Sequence, residues 1–227
     1  MKAMILAAGR GERMRPLSDR FPKPLLEVGG KPLIVWQIER LVQGGLSDIV
    51  INHAHLGHMI EAALGDGSRF GARIRYSPEA QALETAGGIA NALPLLGDKP
   101  FVVVSADIYT EFAYAGLKPR IEKLQAASDD AIAHLVLTDN PPFHPQGDMG
   151  LVDGVVTLDP PRINYGNIAV LHPRIFDGVA RGTAMKLFPR LFDYVRQGKV
   201  TGEHYRGRWC NIGTPEQLLE LDRVLKT

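Results

Sequence analysis

The sequence predicts an α/β protein with a Rossmann-like, three-layer αβα architecture around a mostly parallel central sheet. The first observation is that short β-branched runs alternate with helical patterns over the first half of the chain, which is typical of βαβ units. The second is the continuously apolar run Phe101–Ser105, the pattern of a strand that is buried on both faces. Units of this kind predict right-handed crossovers between parallel strands.

The elements of the first half follow from local patterns. A helix begins near Pro32, which suits a first helical turn, and ends at Gly44 and Gly45. Thr85 is predicted to cap another helix that runs to about residue 95. The remaining predicted elements are strands at residues 3–8, 48–52, 72–76 and 101–105, and a helix at residues 55–64.

The second half is less regular. Its patterns predict strands at residues 131–138, 152–158, 167–171 and 209–212, a proline-rich loop at 141–145 and a helix at 185–196. The last helix carries a capping box, with Thr214 as the N-cap, Pro215 in the first turn and Gln217 at N3. The sequence shows no internal repeat and no low-complexity segment, so we predict one domain over residues 1–227.

Composition and charge argue against several classes of function. The 26 Lys and Arg residues nearly balance the 25 Asp and Glu residues, and a net charge of +1 argues against a nucleic-acid-binding protein. No segment approaches the roughly 20 apolar residues of a membrane span, and the first apolar run is too short for a signal peptide. The single Cys210 suits a reducing compartment. We therefore expect a cytoplasmic protein without nucleic-acid or membrane partners, and nothing in the sequence demands more than a monomer.

Residues 6–25 are the most informative segment of the chain. A short strand leads into a loop with Gly9 and Gly11, whose bare backbone can approach phosphate oxygens and adopt positive φ. Arg13 and Lys23 add full positive charges, and Lys23 is fixed between two prolines. The segment lacks the G-x-x-x-x-G-K-[ST] string of a P-loop and the third glycine of a dinucleotide-binding fingerprint. Spacing alone leaves two interpretations open, a polyphosphate-binding loop and a surface turn.

The whole segment resembles the signature of the sugar-1-phosphate nucleotidyltransferase family, roughly L-x-x-G-x-G-T-R-L-x-P-L-T-x-x-x-P-K-P-L. The chain departs from it mildly, with Glu12, Met14 and Ser18 where the family usually has Thr, Leu and Thr. The resemblance implies the nucleotide-diphospho-sugar transferase fold. It also implies transfer of a nucleotidyl group from a nucleoside triphosphate to a sugar 1-phosphate, with release of pyrophosphate. Residues 1–110 would form the nucleotide-binding half and residues 111–227 the sugar-phosphate-binding half.

Asp107 follows the strand Phe101–Ser105, at the carboxyl end where open α/β sheets bind ligands. From the residue alone, a turn-capping aspartate and a metal ligand both stay open. The resemblance implies that Asp107 holds Mg²⁺, because the family has an aspartate after this strand. A second family aspartate, in the string W-x-D-x-G-T, is replaced here by Asn211, which could ligate the metal through its amide oxygen.

Two further sets of residues are predicted to bind the substrates. Glu84, Gly87 and Gly88 stand at a helix start, where glycines either let a base lie against the backbone or permit close packing of the helix. The resemblance implies that the nucleotide is bound by Leu6, Ala7, Ala8, Gly9, Gly11, Glu12, Arg13, Lys23, Glu84, Gly87, Gly88 and Ser105. It implies that the sugar phosphate is bound by Asn140, Gly150, Asn167 and Lys186.

The resemblance also implies catalytic roles for three residues. Arg13 would hold the leaving β- and γ-phosphates, because its planar fork matches phosphate oxygens. Lys23 would bind the α-phosphate as charge develops on it, and Asp107 would hold Mg²⁺ between the two substrates. Chemistry of this kind depends mostly on positioning and charge stabilisation.

Several substrates and two other classes of function stay open. Segments 51–54, 64–71 and 202–207 most resemble a branch of the family that transfers a uridylyl group from UTP to N-acetylmuramate 1-phosphate in peptidoglycan recycling. Mannose 1-phosphate with GTP, and glucose 1-phosphate with UTP or dTTP, are alternatives. Asn211 in place of the family's aspartate would suit a non-catalytic regulator that binds nucleotide sugars. A DxD glycosyltransferase is a third option, although Asp107-Ile108-Tyr109 lacks the second aspartate.

Overall fold

The computed structural model describes residues 1–126 and 131–226. Strands and helices alternate through the first half as the sequence predicts, with small shifts at the element ends. In chain order the elements are β1 (Lys2–Leu6), α1 (Leu17–Arg20), β2 (Glu27–Val28), β3 (Lys31–Pro32), α2 (Leu33–Gln43), β4 (Asp48–His53), α3 (Gly57–Leu64), β5 (Arg73–Pro78), α4 (Glu84–Leu96), β6 (Phe101–Ser105) and β7 (Ile108–Thr110).

The second half continues with shorter strands and three helices. Its elements are α5 (Lys118–Ala126), β8 (Ala133–Thr138), β9 (Gly150–Val152), β10 (Val155–Thr157), β11 (Asn164–Leu171), α6 (Leu187–Arg196), β12 (Val200–Tyr205), β13 (Trp209–Asn211) and α7 (Pro215–Leu225). Within the described ranges, no helix combines the length and the apolar character needed to cross a bilayer.

Nine strands form one sheet in the order β5-β4-β1-β6-β11-β8-β12-β10-β9. The strands β5, β4, β1 and β6 are mutually parallel, β11 runs antiparallel to both of its neighbours, and β8 and β12 are again parallel. The predicted mostly parallel sheet is therefore confirmed. Because β6 pairs with β11, the sheet passes without interruption from the first half of the chain into the second.

Alternate side chains of the central strands enter two hydrophobic cores on opposite faces of the sheet. In β1, Ala3 and Ile5 belong to one core and Met4 to the other. In β6, Val102 and Val104 extend the first core. Helices α2, α3 and α5 close the first core, and α4 and α6 close the second. The continuous apolar run in β6 is thus explained by burial on both faces.

A third, smaller core fixes β13 and α7 against the first half of the chain. Its buried members are Val28, Leu33, Tyr109, Ile212 and Leu221. The Asp222 carboxylate adds a polar contact, since it accepts a hydrogen bond from Gly29 N at 2.9 Å. This core holds β13 beside β7 and so determines where the C-terminal residues meet the ends of the central strands.

The predicted strand at residues 152–158 is wrong in part. The chain forms a β9–β10 hairpin there, because Asp153 and Gly154 adopt left-handed φ values of 49° and 78° and reverse its direction. The sequence patterns also do not indicate β7, β12 or α5. In β12 (Val200–Tyr205) polar residues and Gly202 interrupt the apolar alternation that marks a strand.

The predicted cap at Thr85 is also wrong. Helix α4 begins after Leu83, and no side chain caps it. The N–H groups of Ala86 and Gly87 donate instead to the carbonyl oxygen of Met185, at 2.9 and 3.1 Å. A backbone segment from the second half of the chain thus satisfies the free donors at this helix start.

The two helix starts can be compared by mutation. In α7 the predicted capping box is present, with Thr214 accepting from Gln217 N and the Gln217 side chain accepting from Thr214 N. Thr214→Ala should lower the free energy of unfolding by about 1 kcal/mol because it removes this cap. The matched control Thr85→Ala should change it much less, because Thr85 caps no helix. Urea denaturation followed by circular dichroism measures both, and equal losses would contradict this assignment of the caps.

Candidate active site

The carboxyl ends of β1 and β6 open into a cleft of about 330 Å³. Its walls come from the glycine-rich loop, the segment around Lys23, the start of α4 and the turn after β6. The lining residues are Leu6, Ala7, Ala8, Gly9, Lys23, Pro24, Asn52, Ala82, Glu84, Thr85, Ser105, Ala106 and Asp107. Open α/β sheets bind ligands at this edge, so the cleft is the candidate active site.

The glycine-rich loop is held in shape by contacts from the segment that follows it. Gly11 has a φ of 69°, and its carbonyl oxygen accepts a hydrogen bond from Ser18 Oγ at 2.8 Å. A Cβ at Gly11 would lie 3.2 Å from Lys23 Cβ. Glycine is therefore needed here for both its backbone conformation and its small size.

Lys23 and Asp107 form an ion pair at the centre of the cleft, with 2.5 Å between Nζ and Oδ2. The Lys23 side chain is only 10% exposed, whereas that of Asp107 is 34% exposed. A buried ammonium group needs a partner to offset its lost hydration, and Asp107 supplies one. A phosphate that enters the cleft would therefore meet a fixed cation beside a carboxylate that water can still reach.

Asn52 and Glu79 form a buried network that fixes the walls of the cleft. Asn52 Oδ1 accepts a hydrogen bond from Ala7 N at 3.0 Å, and its Nδ2 donates to Glu79 Oε1 at 2.7 Å. The other carboxylate oxygen accepts from Leu83 N at 2.9 Å. Gly88 lies against this network, since a Cβ there would be 2.7 Å from Glu79 Oε1. The ends of β1 and β4 are thereby tied to the start of α4.

β13 brings Asn211 close to Asp107 although the two are distant in sequence. Asn211 lies opposite Ile108 in the antiparallel β7–β13 pair, and Ile212 N donates to the carbonyl oxygen of Asp107 at 2.9 Å. Asn211 Oδ1 is buried and has no hydrogen-bond partner among the residues that the structure describes. A buried acceptor without a protein partner is rare in native proteins, and it can accept from water or coordinate a ligand.

The oxygen donors at this corner suit a hard divalent cation. Asp107 offers a carboxylate and Asn211 an unpartnered amide oxygen, the ligand types that Mg²⁺ prefers. Across residues 1–126 and 131–226, no group of three or more His, Cys, Asp or Glu side chains could hold a metal, so phosphate and water oxygens would complete the coordination. Burial raises the pKa of the neighbouring Cys210 thiol, which keeps it protonated and makes it a poor nucleophile.

Arg13 is free to bind a ligand, unlike the other arginines of the loop. Arg10 and Arg15 both pair with Asp19. Arg13 forms neither a hydrogen bond nor an ion pair with the described part of the chain, and its guanidinium group packs against Gly213. A Cβ at Gly213 would lie 3.1 Å from Arg13 Nη2, so the glycine leaves room for this side chain.

Two cavities continue the cleft toward the second half of the chain, and together we call them the second-half groove. The first, of about 200 Å³, shares Leu6, Glu84, Thr85 and Ser105 with the cleft and adds Asn167 and Lys186. The other, of about 290 Å³, shares Tyr165, Asn167 and Phe188 with the first and extends to Phe143, His144 and Asn211. Because these walls are shared, one continuous surface leads from the glycine-rich loop to Asn211.

Comparison with known proteins identifies the family. Residues 2–150 match the nucleotidyl transferase family. The chain is 50% identical to the N-acetylmuramate alpha-1-phosphate uridylyltransferase of Neisseria meningitidis, over 97% of this chain and 96% of that protein. The chain belongs to the nucleotidyl transferase family. The predicted resemblance and the predicted enzyme class, a sugar-1-phosphate nucleotidyltransferase, are therefore confirmed.

More distant relatives of this nucleotidyltransferase are consistent with that result. The chain is 35% identical to the N-acetylmuramate alpha-1-phosphate uridylyltransferase of Caulobacter vibrioides, over 98% of this chain and 96% of that protein. It is 31% identical to a mannose-1-phosphate guanyltransferase of Aspergillus fumigatus, over 96% of this chain and 62% of that protein.

Solved structures share the fold of this nucleotidyltransferase. The TM-score is 0.83 with a structure described as a glucose-1-phosphate thymidylyltransferase from Bacillus anthracis, at 21% identity and over 100% of this chain and 95% of that one. It is 0.78 with HddC from Yersinia pseudotuberculosis complexed with GMP-PN, at 20% identity and over 99% of both chains. The predicted nucleotide-diphospho-sugar transferase fold is thus confirmed.

Most of the predicted nucleotide-binding residues of this nucleotidyltransferase lie in the cleft. Those that line it are Leu6, Ala7, Ala8, Gly9, Lys23, Glu84, Ser105 and, as the predicted metal ligand, Asp107. Gly11, Glu12 and Arg13 belong to the adjoining loop, where Glu12 pairs with Arg15 at 3.0 Å. Of the residues predicted for the sugar phosphate and the metal, Asn167, Lys186 and Asn211 line the second-half groove. The roles assigned to all of these residues stay predictions.

Four predicted binding residues lie outside the cleft, the groove and the glycine-rich loop: Gly87, Gly88, Asn140 and Gly150. A Cβ at Gly87 would overlap Thr183 O, and one at Gly150 would overlap Asp159 O. Asn140 Nδ2 donates to two backbone carbonyl oxygens. Close packing accounts for the glycines and loop stability for Asn140, while a role in substrate binding stays a prediction for each.

Several residues at the site have no role in the sequence-based predictions. Asn52 ends a β-branched strand, and a polar residue at a strand end was a usable signal for it. Tyr165 and Phe188 face the groove with ring centroids 5.3 Å apart in an edge-to-face arrangement. No local pattern separates such aromatic residues from core residues. His144 Nε2 contacts Asp148 Oδ1 at 3.1 Å across the proline-rich loop, a contact that spacing alone does not predict.

Replacement of Lys23 tests the importance of the central ion pair. Lys23→Ala should lower turnover roughly 100-fold or more, the loss expected when a preorganised donor to a developing charge is removed. The matched control Arg20→Ala removes an exposed cation from the same segment and should leave turnover near the wild-type value. Pyrophosphate release measures turnover, and circular dichroism checks the fold. A loss of less than about threefold in a folded Lys23→Ala enzyme would contradict the assigned role.

Proposed function

We propose that this nucleotidyltransferase transfers a uridylyl group from UTP to N-acetylmuramate 1-phosphate in a Mg²⁺-dependent reaction that releases pyrophosphate and a UDP-sugar. The observation that carries the proposal is the continuous surface from the glycine-rich loop, past the Lys23–Asp107 pair, to the second-half groove. Two phosphate-bearing substrates on such a surface would meet at the ion pair. The choice of substrates is supported by the names of the relatives that are 50% and 35% identical over nearly the full chain.

The proposed chemistry is a direct in-line displacement. A phosphate oxygen of the sugar 1-phosphate attacks the α-phosphorus of UTP, the bond from this phosphorus to the bridging oxygen breaks, and pyrophosphate leaves. No covalent enzyme intermediate is required. Both substrates are polyanions, so the protein must mainly align them and offset their mutual repulsion.

Lys23 is positioned to offset much of this repulsion. Its side chain lines the cleft and is only 10% exposed, and this burial strengthens its interaction with a phosphate compared with water. Charge grows on the α-phosphate as the new bond forms, and a fixed cation stabilises it without reorganisation. Arg13, which has no partner within the described chain, would bind the leaving phosphates, with backbone N–H groups of residues 9–12 beside it.

Nucleotidyltransferases of this family generally use a divalent metal. Asp107 and Asn211 would hold Mg²⁺ here, and the bound ion would supply charge neutralisation between the two phosphates. The buried, unpartnered Oδ1 of Asn211 supports its inclusion in the site. Because Asn211 is neutral where the family has an aspartate, we expect weaker metal binding than a two-carboxylate site would give.

Other substrates and a non-catalytic role are less well supported. The mannose-1-phosphate guanyltransferase of Aspergillus fumigatus is only 31% identical to this chain. A non-catalytic regulator would not need a buried lysine paired with a carboxylate at the floor of the cleft. A cytoplasmic location, a monomeric state and a part in peptidoglycan recycling belong to the same proposal.

A substrate panel tests the proposed reaction. Pyrophosphate release should be fastest with UTP and N-acetylmuramate 1-phosphate, should require both substrates, and should stop when EDTA removes the metal. GTP, dTTP and other sugar 1-phosphates serve as the controls. Faster release with GTP and mannose 1-phosphate would contradict the proposed choice of substrates. Tight nucleotide binding without pyrophosphate release in any combination would contradict the proposed activity.

Single substitutions of Asp107 and Asn211 test the predicted metal site. Asp107→Asn should abolish Mg²⁺-dependent turnover because it removes the only formal charge of the predicted ligand pair. Asn211→Asp should retain turnover and lower the Mg²⁺ concentration needed for half-maximal rate, because it adds a charge. Metal titrations of pyrophosphate release measure both effects. Unchanged metal dependence in Asp107→Asn, or an inactive but folded Asn211→Asp enzyme, would contradict this assignment.

A further inference from the structure

Two residues with left-handed backbone conformations line the cavity of the second-half groove that adjoins the cleft. Glu84 and Asn167 have φ values of 60° and 56°, in the left-handed region that disfavours residues with a side chain. Both line the cavity of about 200 Å³. Asparagine tolerates this conformation, but glutamate has no such preference. Strain of this kind persists only where the surrounding structure enforces it, and it clusters at functional sites.

The conformation of Glu84 is enforced by contacts on both sides of it. Leu83 N is bonded to the buried Glu79 carboxylate at 2.9 Å, and Leu83 O accepts from Met185 N at 2.9 Å. After Glu84, the N–H groups of Ala86 and Gly87 both donate to Met185 O. The residues around Glu84 are therefore fixed to the segment before α6, and the backbone of Glu84 cannot relax without breaking these bonds.

The side chain of Glu84 does not stabilise the fold in any visible way. It is exposed and forms no hydrogen bond or ion pair with residues 1–126 or 131–226. A glycine would adopt the same backbone conformation with less strain. A carboxylate on a strained backbone that forms no hydrogen bond or ion pair with the described residues, but lines the cleft and the adjoining cavity, is best explained by a contact with the substrate.

We propose that Glu84 determines specificity for the acceptor, its carboxylate accepting hydrogen bonds from hydroxyl or amide N–H groups of the sugar. This inference rests on the proposed function. The cavity that Glu84 shares with Asn167 and Lys186 favours the sugar over the triphosphate, since these neighbours come from the second half of the chain. The carboxylate would repel a phosphate, whereas hydroxyl and amide groups are donors that it can bind. Lys186 and Asn167 offer donors to the acceptor oxygens of the same sugar.

Steady-state kinetics with both substrates varied test the proposal. Glu84→Gly should lower kcat/KM for the sugar 1-phosphate about tenfold or more, the loss expected when a hydrogen bond to a charged group is removed. The KM for UTP should stay within about threefold of wild type, because uniform loss of nucleotide binding is not expected. Glu84→Gln, which keeps one acceptor oxygen, should lower kcat/KM for the sugar 1-phosphate less than Glu84→Gly does. The thermal midpoint of Glu84→Gly should rise by about 2 °C or more, because strain is relieved.

Asp153→Gly is the matched control, because Asp153 has a φ of 49° in the β9–β10 turn and lines neither the cleft nor the groove. It should leave both kinetic constants unchanged. A Glu84→Gly enzyme with unchanged constants, or with a raised KM for UTP alone, would overturn the proposal, the second result assigning Glu84 to the nucleotide. A wild-type enzyme without turnover on any sugar 1-phosphate would overturn the proposed function and this inference together.

Discussion

The buried contact between Asn52 and Glu79 is the interaction on which the active site depends. Through it the loop after β1, the end of β4 and the start of α4 share one hydrogen-bonded network, and Gly88 leaves the space that the network occupies. An amide and a carboxylate in such a place are stable only when their partners are all present, since a lost partner leaves a buried polar group unsatisfied. Asn52 itself lines the cleft, so the network fixes part of the wall against which a substrate would lie.

Cationic groups and oxygen ligands lie in different parts of the site. Positive charge is concentrated at the loop and at Lys23, although the whole chain has a net charge of only +1. Two oxygen ligands lie where β13 meets the end of β6: the Asp107 carboxylate, which pairs with Lys23, and the unpartnered amide oxygen of Asn211. The groove beyond them combines aromatic rings and amides with His144 and Lys186. Under the proposed function, the phosphates would lie at the loop and the sugar in this groove.

The sequence was sufficient to predict the parts of the fold in which local pattern and tertiary burial agree. The apolar run of β6, the capping box of α7 and the loop with Gly9 and Gly11 are of this kind. It was insufficient where a distant segment replaces a local signal: α4 is capped by Met185 O, and β12 is an internal strand of the sheet despite its polar side chains. The same limit applies to the site. The position of Asp107 after a strand makes it a candidate and the family resemblance implies its role, but the partnerless oxygen of Asn211 and the strain at Glu84 depend on contacts between the two halves.

The pairing of β7 with β13 has a consequence for the order in which the protein matures. Synthesis proceeds from the N-terminus, so the glycine-rich loop and Lys23 leave the ribosome with β1 and β6 well before β13 exists. Asn211 and the glycine that accommodates Arg13 arrive only with β13 and the residues after it. A nascent chain can therefore form the loop and β6 early, but Asn211 comes to lie beside Asp107 only when β13 has folded back onto β7. Under the proposed function, catalytic competence would thus be linked to the synthesis of β13.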